Sequence, residues 1–181
     1  MLLKTLLLFS FGLSLHLRAS DCGVVRAVPI RLINDAAVEP KVMVAAQHEA
    51  AYVLKSLCVQ VEWTTNLTPA LEMRTLIAPI ADGITKHALG LTVLDAIHGN
   101  RGAIFFSRVR AAEAVYGRLV DLGRLLGCVL AHEIGHMLLN SNAHSPEGIM
   151  IAKFGDAEMR KAAQRRLTFT RSDRVLAAAI K

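Results

Sequence analysis

An α+β fold is what the order of local patterns in this chain predicts. Three observations carry it. Short β-branched stretches dominate the first hundred residues, a long apolar helical stretch follows at 116–140, and two basic helical stretches close the sequence. Strands gathered ahead of helices, without regular alternation, build a sheet with helices packed on it. The chain has 181 residues, enough for one domain with a real core but too few for two. At 53% hydrophobic and 20% charged it is globular in composition; aromatics are only 5%, so Leu, Val, Ile and Ala must build the interior.

The elements follow in order. Residues 22–34, CGVVRAVPIRLIN, are β-branched and partly alternating, a strand. Residues 38–57 predict a helix, with Pro40 at a first helical position and an inward stripe through Val42, Ala45, Ala46, Glu49 and Val53. Residues 58–65 alternate Val59, Val61 and Trp63 against polar neighbours, and 73–80 is a third strand. The glycine-bearing stretch 81–101 predicts loops around a short strand at 89–94, and GAIFFSRV (102–109) a stronger one. The helical stretch 116–140 comes next, with a break expected near its start. Helices at 156–167 and 171–180 end the chain, the last capped by Thr170 or Ser172. No repeat, low-complexity tract or interdomain linker divides it.

Residues 1–20 stand apart. Lys4, an apolar run from Thr5 to Leu15, and small residues at Ala19 and Ser20 have the layout of a secretory signal peptide, cut after Ala19 or Ser20. The run is too short for a comfortable membrane span, and an uncleaved anchor is the competing reading. Residues 21–181 then form one domain: a sheet-rich part at 21–115, the long helix and a following turn at 116–152, and the C-terminal helices at 156–181. Cleavage removes two cations and no acid, taking the formal charge from +6 to +4. The remaining basic residues, Arg160, Lys161, Arg165, Arg166, Arg171, Arg174 and Lys181, fall at helical spacing without interleaved aromatics. That pattern is a solvated helix face rather than a nucleic-acid surface.

Export permits a disulfide. Of Cys22, Cys58 and Cys128, the first two are the pair to expect, since Cys128 sits inside the long helix, where a buried structural thiol is the expectation. No CxxC spacing supports a cysteine-rich zinc module.

The chemistry concentrates between Leu130 and Met150, LAHEIGHMLLNSNAHSPEGIM. His132 and His136 are four apart on a helix, so both imidazoles face one way and can reach one ion. Glu133 is turned one helical step from that line, free to take a proton from an activated water rather than to ligate. Leu130, Ile134, Met137 and Leu138 make the segment apolar enough to be buried, and two histidines and a glutamate in such a place need partners, which a metal supplies. Gly135 costs roughly 1 kcal/mol against alanine in a helix interior, so a close approach by another segment is expected there. A third ligand is missing from the helix. His144, eight residues after His136, is the preferred one; Asp156 and Glu158 are the alternatives. His48, His87 and His98 are isolated and take surface or satisfied roles, nothing places Tyr116 near the site, and NLT at 66–68 is a glycosylation acceptor only in a suitable secretory host.

The segment resembles the metzincin clan of zinc peptidases, whose signature is His-Glu-x-x-His-x-x-Gly-x-x-His followed by a tight methionine-containing turn. It is also similar to secreted bacterial zincins with a HEIGH…HSxxGIM core. The resemblance covers about twenty residues. It implies a zincin-like fold, a small mixed sheet packed on a long active-site helix with a helical C-terminal portion. It implies Zn2+ held by His132, His136 and His144, Glu133 as general base, and Met150 as the Met-turn residue. It also implies an edge strand beside the cleft that pairs with an extended substrate, for which 102–109 is the match by order. Two departures stand out. The family glycine falls at Leu139 and the family third histidine at Asn142, so two extra residues separate His136 from His144. Asn140 and Asn142 tolerate the left-handed conformation that such a turn needs.

The expectation is therefore a secreted or periplasmic zinc metalloendopeptidase, monomeric. It would act on a peptide or protein substrate, with no nucleic-acid partner and no stable membrane association after signal cleavage. A non-catalytic zinc-binding protein derived from a peptidase fold, and a zinc amide hydrolase of a small substrate, are the alternatives.

Overall fold

A computed structural model of the protein describes residues 22, 25–66, 71–79 and 87–179. The expected signal segment, the cleavage position and most of the NLT acceptor lie outside them. The fold is mixed α+β, a five-stranded mixed sheet with five α-helices.

β1 (Arg26–Asn34), α1 (Pro40–Leu54) and β2 (Val59–Thr64) form the first unit. β1 and β2 are parallel, with Arg26 opposite Val59 and Ile30 opposite Trp63, a pairing that needs a crossover, which α1 supplies. Pro40 opens α1 as expected. The helix ends in a 3-10 turn at Lys55–Leu57, after which Cys58 takes a left-handed conformation and leads into β2. Cys58 is bonded to Cys22, the expected pair, and Cys128 is left free and buried. This disulfide is consistent with an extracellular location.

β3 (Leu71–Leu76) pairs in parallel with the other side of β1, and β5 (Arg101–Phe105) in parallel with β3. β4 (Gly90–Val93) runs antiparallel to β5, giving the order β2-β1-β3-β5-β4. Two expectations need correction here. The segment 102–109 is not an edge strand: its strand part lies between β3 and β4, and among the described residues β4 is the edge strand on that side. Nor is it all strand, because α2 (Phe106–Tyr116) begins immediately after Phe105. The expected helical stretch 116–140 is α3 (Leu122–Leu138), preceded by the expected break at residues 117–121, and α2 is an additional helix in the sheet-rich part. Asp121 caps α3, accepting the Arg124 N–H at 2.9 Å.

α1 and α3 lie side by side over one face of the sheet. The core between them is built from Ile30, Ala46, Ala50, Leu54, Met73, Ile104, Leu126, Leu130 and Ile134, each fully buried. α4 (Asp156–Ala163) follows, shorter than expected, and then α5 (Arg171–Ala179), helical through the last described residue. Thr170 caps α5, its hydroxyl accepting the Asp173 N–H at 3.2 Å. Among the described residues no helix is long and apolar enough to cross a membrane.

Candidate metal centre

α3 is buried along almost its whole length, so the polar side chains it carries must find partners inside the protein. His132 and His136 do. The Nδ1–H of His132 donates to the Ile149 carbonyl at 2.7 Å, and that of His136 to the Ser141 carbonyl at 2.7 Å. A carbonyl oxygen only accepts, so both protons are assigned to Nδ1 and both Nε2 atoms carry bare lone pairs. Those Nε2 atoms lie 3.1 Å apart. Burial holds His132 down to about 4 and holds His136 below the usual imidazole range as well, which favours the neutral rings. Two facing lone pairs at that distance repel unless a cation lies between them.

His144 completes the cluster. One ligand atom from each of His132, His136 and His144 falls within 4.8 Å of the others, so the three could hold a metal ion. The His144 ring stacks at 5.4 Å from His132 and stands edge-on at 5.0 Å from His136. It is the exposed member of the three. The two alternatives are engaged elsewhere: Glu158 accepts the Gly155 N–H at the start of α4, and Asp156 lies within 3.9 Å of Arg160 at the protein surface.

The turn that delivers His144 is made without the family glycine. Leu139 ends α3 and packs into the core. Asn140 takes φ 44°, the Asn140 N–H donates to the Met137 carbonyl, and the Ser141 N–H donates to the His136 carbonyl. This is a Schellman close with asparagine in the left-handed position. It aims the Ser141 carbonyl back at His136. Asn142 is not left-handed; it lies on the cleft wall. After His144 the chain closes again at once, the Ser145 N–H donating to the Met150 carbonyl at 2.8 Å.

Met150 is buried against α3 at Gly135. A Cβ at position 135 would stand 2.6 Å from Met150 Sδ and 2.7 Å from Phe169 Cε1. The expected close approach at Gly135 is therefore real, and the segment responsible is the methionine turn together with Phe169.

Glu133 points from α3 toward the edge strand. Its Oε2 accepts the Thr92 hydroxyl at 2.7 Å, and the same hydroxyl lies 3.0 Å from the Glu133 carbonyl. Burial pushes the carboxyl up to about 7, with the Thr92 hydrogen bond opposing. Gly90 leaves room for it: a Cβ there would fall 2.6 Å from Glu133 Oε1. Neither residue is singled out by sequence reading, although a glycine in a strand is a general sign of close approach.

His132, Glu133, His136 and His144 all open into one cleft of about 940 Å³. β4 forms one wall, Ile151–Phe154 another, and Ala112, Val115 and Tyr116 of α2 a third. Tyr116, which the sequence leaves unplaced, therefore lines the cleft, because α2 ends there. His87 is at the cleft margin too, whereas His48 is exposed and His98 pairs with Asp95 at 2.9 Å. Cys128 takes no part in the cluster; its thiol is buried, and burial raises its pKa well above the usual range. No protein-family model matches the chain, and no curated protein matches it either.

Proposed function

We propose that this protein is a zinc-dependent metallopeptidase with a zincin-like catalytic domain, exported from the cell by its N-terminal segment. The observation that carries the reading is the pair of Nε2 atoms 3.1 Å apart, each ring fixed by an Nδ1–H bond to a carbonyl, with His144 alongside. Ligands at about 2.0–2.1 Å in a tetrahedron stand roughly 3.3 Å from each other, so the spacing suits zinc, and three imidazoles leaving one position open suit a catalytic site. Carbonyl partners on the far ring nitrogens are what orient metal-binding histidines and fix their tautomers.

When bound, zinc acts as a Lewis acid, acidifying a water and stabilising the charge that develops on a scissile carbonyl oxygen. Glu133 does the proton work. Buried beside the cluster and hydrogen-bonded to Thr92, it takes the proton of the attacking water and returns it to the leaving amine. The cleft suits an extended chain, because among the described residues β4 is a terminal strand of the sheet, and main-chain pairing along it would hold a peptide regardless of sequence. A purely structural zinc site has no use for a buried glutamate of this kind in an open cleft, which favours hydrolysis over metal binding alone.

The test is Glu133→Gln. The variant should bind one zinc per chain and cleave no member of a broad peptide library that the wild type cleaves. Retained cleavage with zinc in place overturns the mechanism; failure of both proteins to cleave, with zinc bound, favours the non-catalytic alternative.

A further inference from the structure

His144 is the least protected part of the cluster. It is exposed, it lies in a stretch without regular structure, and it is carried two residues farther from α3 than the zinc-peptidase pattern has it. On its near side the stretch is fixed at Ser141, which closes the helix and whose Oγ also accepts the Ala143 N–H at 3.1 Å. On its far side it is fixed at Ser145, and the group that fixes it comes from the C-terminal helix.

That group is Asp173, a carboxylate with 5% exposure in the first turn of α5. Oδ2 accepts both the Thr170 N–H and the Thr170 hydroxyl at 2.8 Å, which completes the cap of the helix. Oδ1 is not needed for capping. It accepts the Ser145 hydroxyl at 2.8 Å, across 28 residues of sequence. The next turn of chain is tied to the same segment, the Ile149 N–H donating to the Thr168 carbonyl at 2.9 Å, and the Ile149 carbonyl is the one that orients His132.

We propose that Asp173 is a positioning residue for the metal centre, holding His144 in place through Ser145. The inference rests on the three-histidine reading above. Ordering a loop residue costs conformational entropy, so a ligand on an unanchored loop would bind metal only after that cost was met. The Asp173–Ser145 bond meets it during folding, and the imidazole is then already in place when the ion arrives. Removing partners of this kind weakens metal affinity typically 10–100-fold.

The experiment measures zinc affinity by chelator competition in Ser145→Ala, Ser145→Thr, Asp173→Asn and His144→Ala, with the melting temperature of each metal-free protein taken alongside. Ser145→Ala leaves the Thr170–Asp173 cap intact and should bind zinc at least tenfold more weakly, while the metal-free melting temperature stays close to that of wild type. Ser145→Thr keeps the hydroxyl and should restore the affinity. In a His144→Ala background, Ser145→Ala should cost nothing further, and the visible spectrum of the Co2+-loaded Ser145→Ala protein should shift toward that of His144→Ala. Wild-type affinity in Ser145→Ala, or the same loss with His144 absent, overturns the positioning role. If His144→Ala itself binds zinc as tightly as wild type, the three-histidine reading falls and this inference with it.

Discussion

Thr92 and Glu133 are joined twice: the threonine hydroxyl lies 2.7 Å from the carboxylate Oε2 and 3.0 Å from the backbone carbonyl of the same glutamate. A hydroxyl has one proton and two lone pairs. When the carboxyl is ionised, the threonine donates to it. When the carboxyl is protonated, it can donate to the threonine, whose own proton turns to the carbonyl. Both protonation states keep a partner, as the proton-transfer role proposed for Glu133 requires. Thr92→Val should lower kcat roughly 10–100-fold, part of the usual contribution of a positioned base, with KM and zinc content nearly unchanged. Thr92→Ser should recover most of the rate. An unaffected kcat in the valine variant would remove Thr92 from the mechanism.

Gly135→Ala sets helix propensity against packing. Alanine gains about 1 kcal/mol over glycine inside a helix. The added Cβ meets Met150 Sδ at 2.6 Å and Phe169 at 2.7 Å, and overpacking of that kind typically costs 1–3 kcal/mol. Packing should win, leaving the variant less stable by up to about 2 kcal/mol in urea denaturation. A variant as stable as wild type would mean that the methionine turn yields freely.

The metal-free protein should show the raised carboxyl as a pH effect. The Glu133 pKa goes from 4.5 to about 7 on folding, so the folded state binds the extra proton between those values. Stability from this group is complete below about pH 4.5 and is lost as pH rises through 7. Comparing chelator-treated wild type with Glu133→Gln isolates the term. The wild type should fall relative to the variant across that window by on the order of 3 kcal/mol. A pH-independent difference would show that Glu133 ionises freely in its pocket.

Loss of the Cys22–Cys58 bond should act on stability alone. The bond closes a loop with a sequence separation of 36, for which the chain-entropy estimate is roughly 4 kcal/mol. Cys58 leads into β2, at the sheet edge opposite β4. Replacing both cysteines by alanine should lower the melting temperature and leave zinc affinity as it was; a loss of zinc affinity would connect the two edges of the sheet.

Much of this architecture is legible in the residues, and the failures have physical causes. β1, α1 and β2 follow from alternation, Pro40 and β-branched composition, and the i, i+4 histidines follow from helix geometry. α2 is missed because Phe105, Phe106 and Val109 continue the strand-like composition of β5, and because Phe105 gives the helix no side-chain cap to announce it. The edge strand is misplaced because edge position is set by pairing order, and β4, four residues long, carries too little pattern to compete with GAIFFSRV. Asn140 is readable as a left-handed residue. The nearness of His144 to the other rings is not readable locally, since it depends on contacts with residues 168–173 far along the chain. Thr92 gives no signal by itself and Gly90 only the general one of a strand glycine; they matter through the one carboxylate that α3 lays against them.

The dependence of the His144 loop on residues 168–173 also sets an order of events. A chain that emerges N-terminal end first exposes His132 and His136 well before the segment that secures Ser145 and Ile149. An ion arriving early meets two imidazoles rather than three. The histidine cluster therefore matures late, after the sheet and α3 are in place, and the interval between synthesis and a complete cluster is written into the direction of the chain.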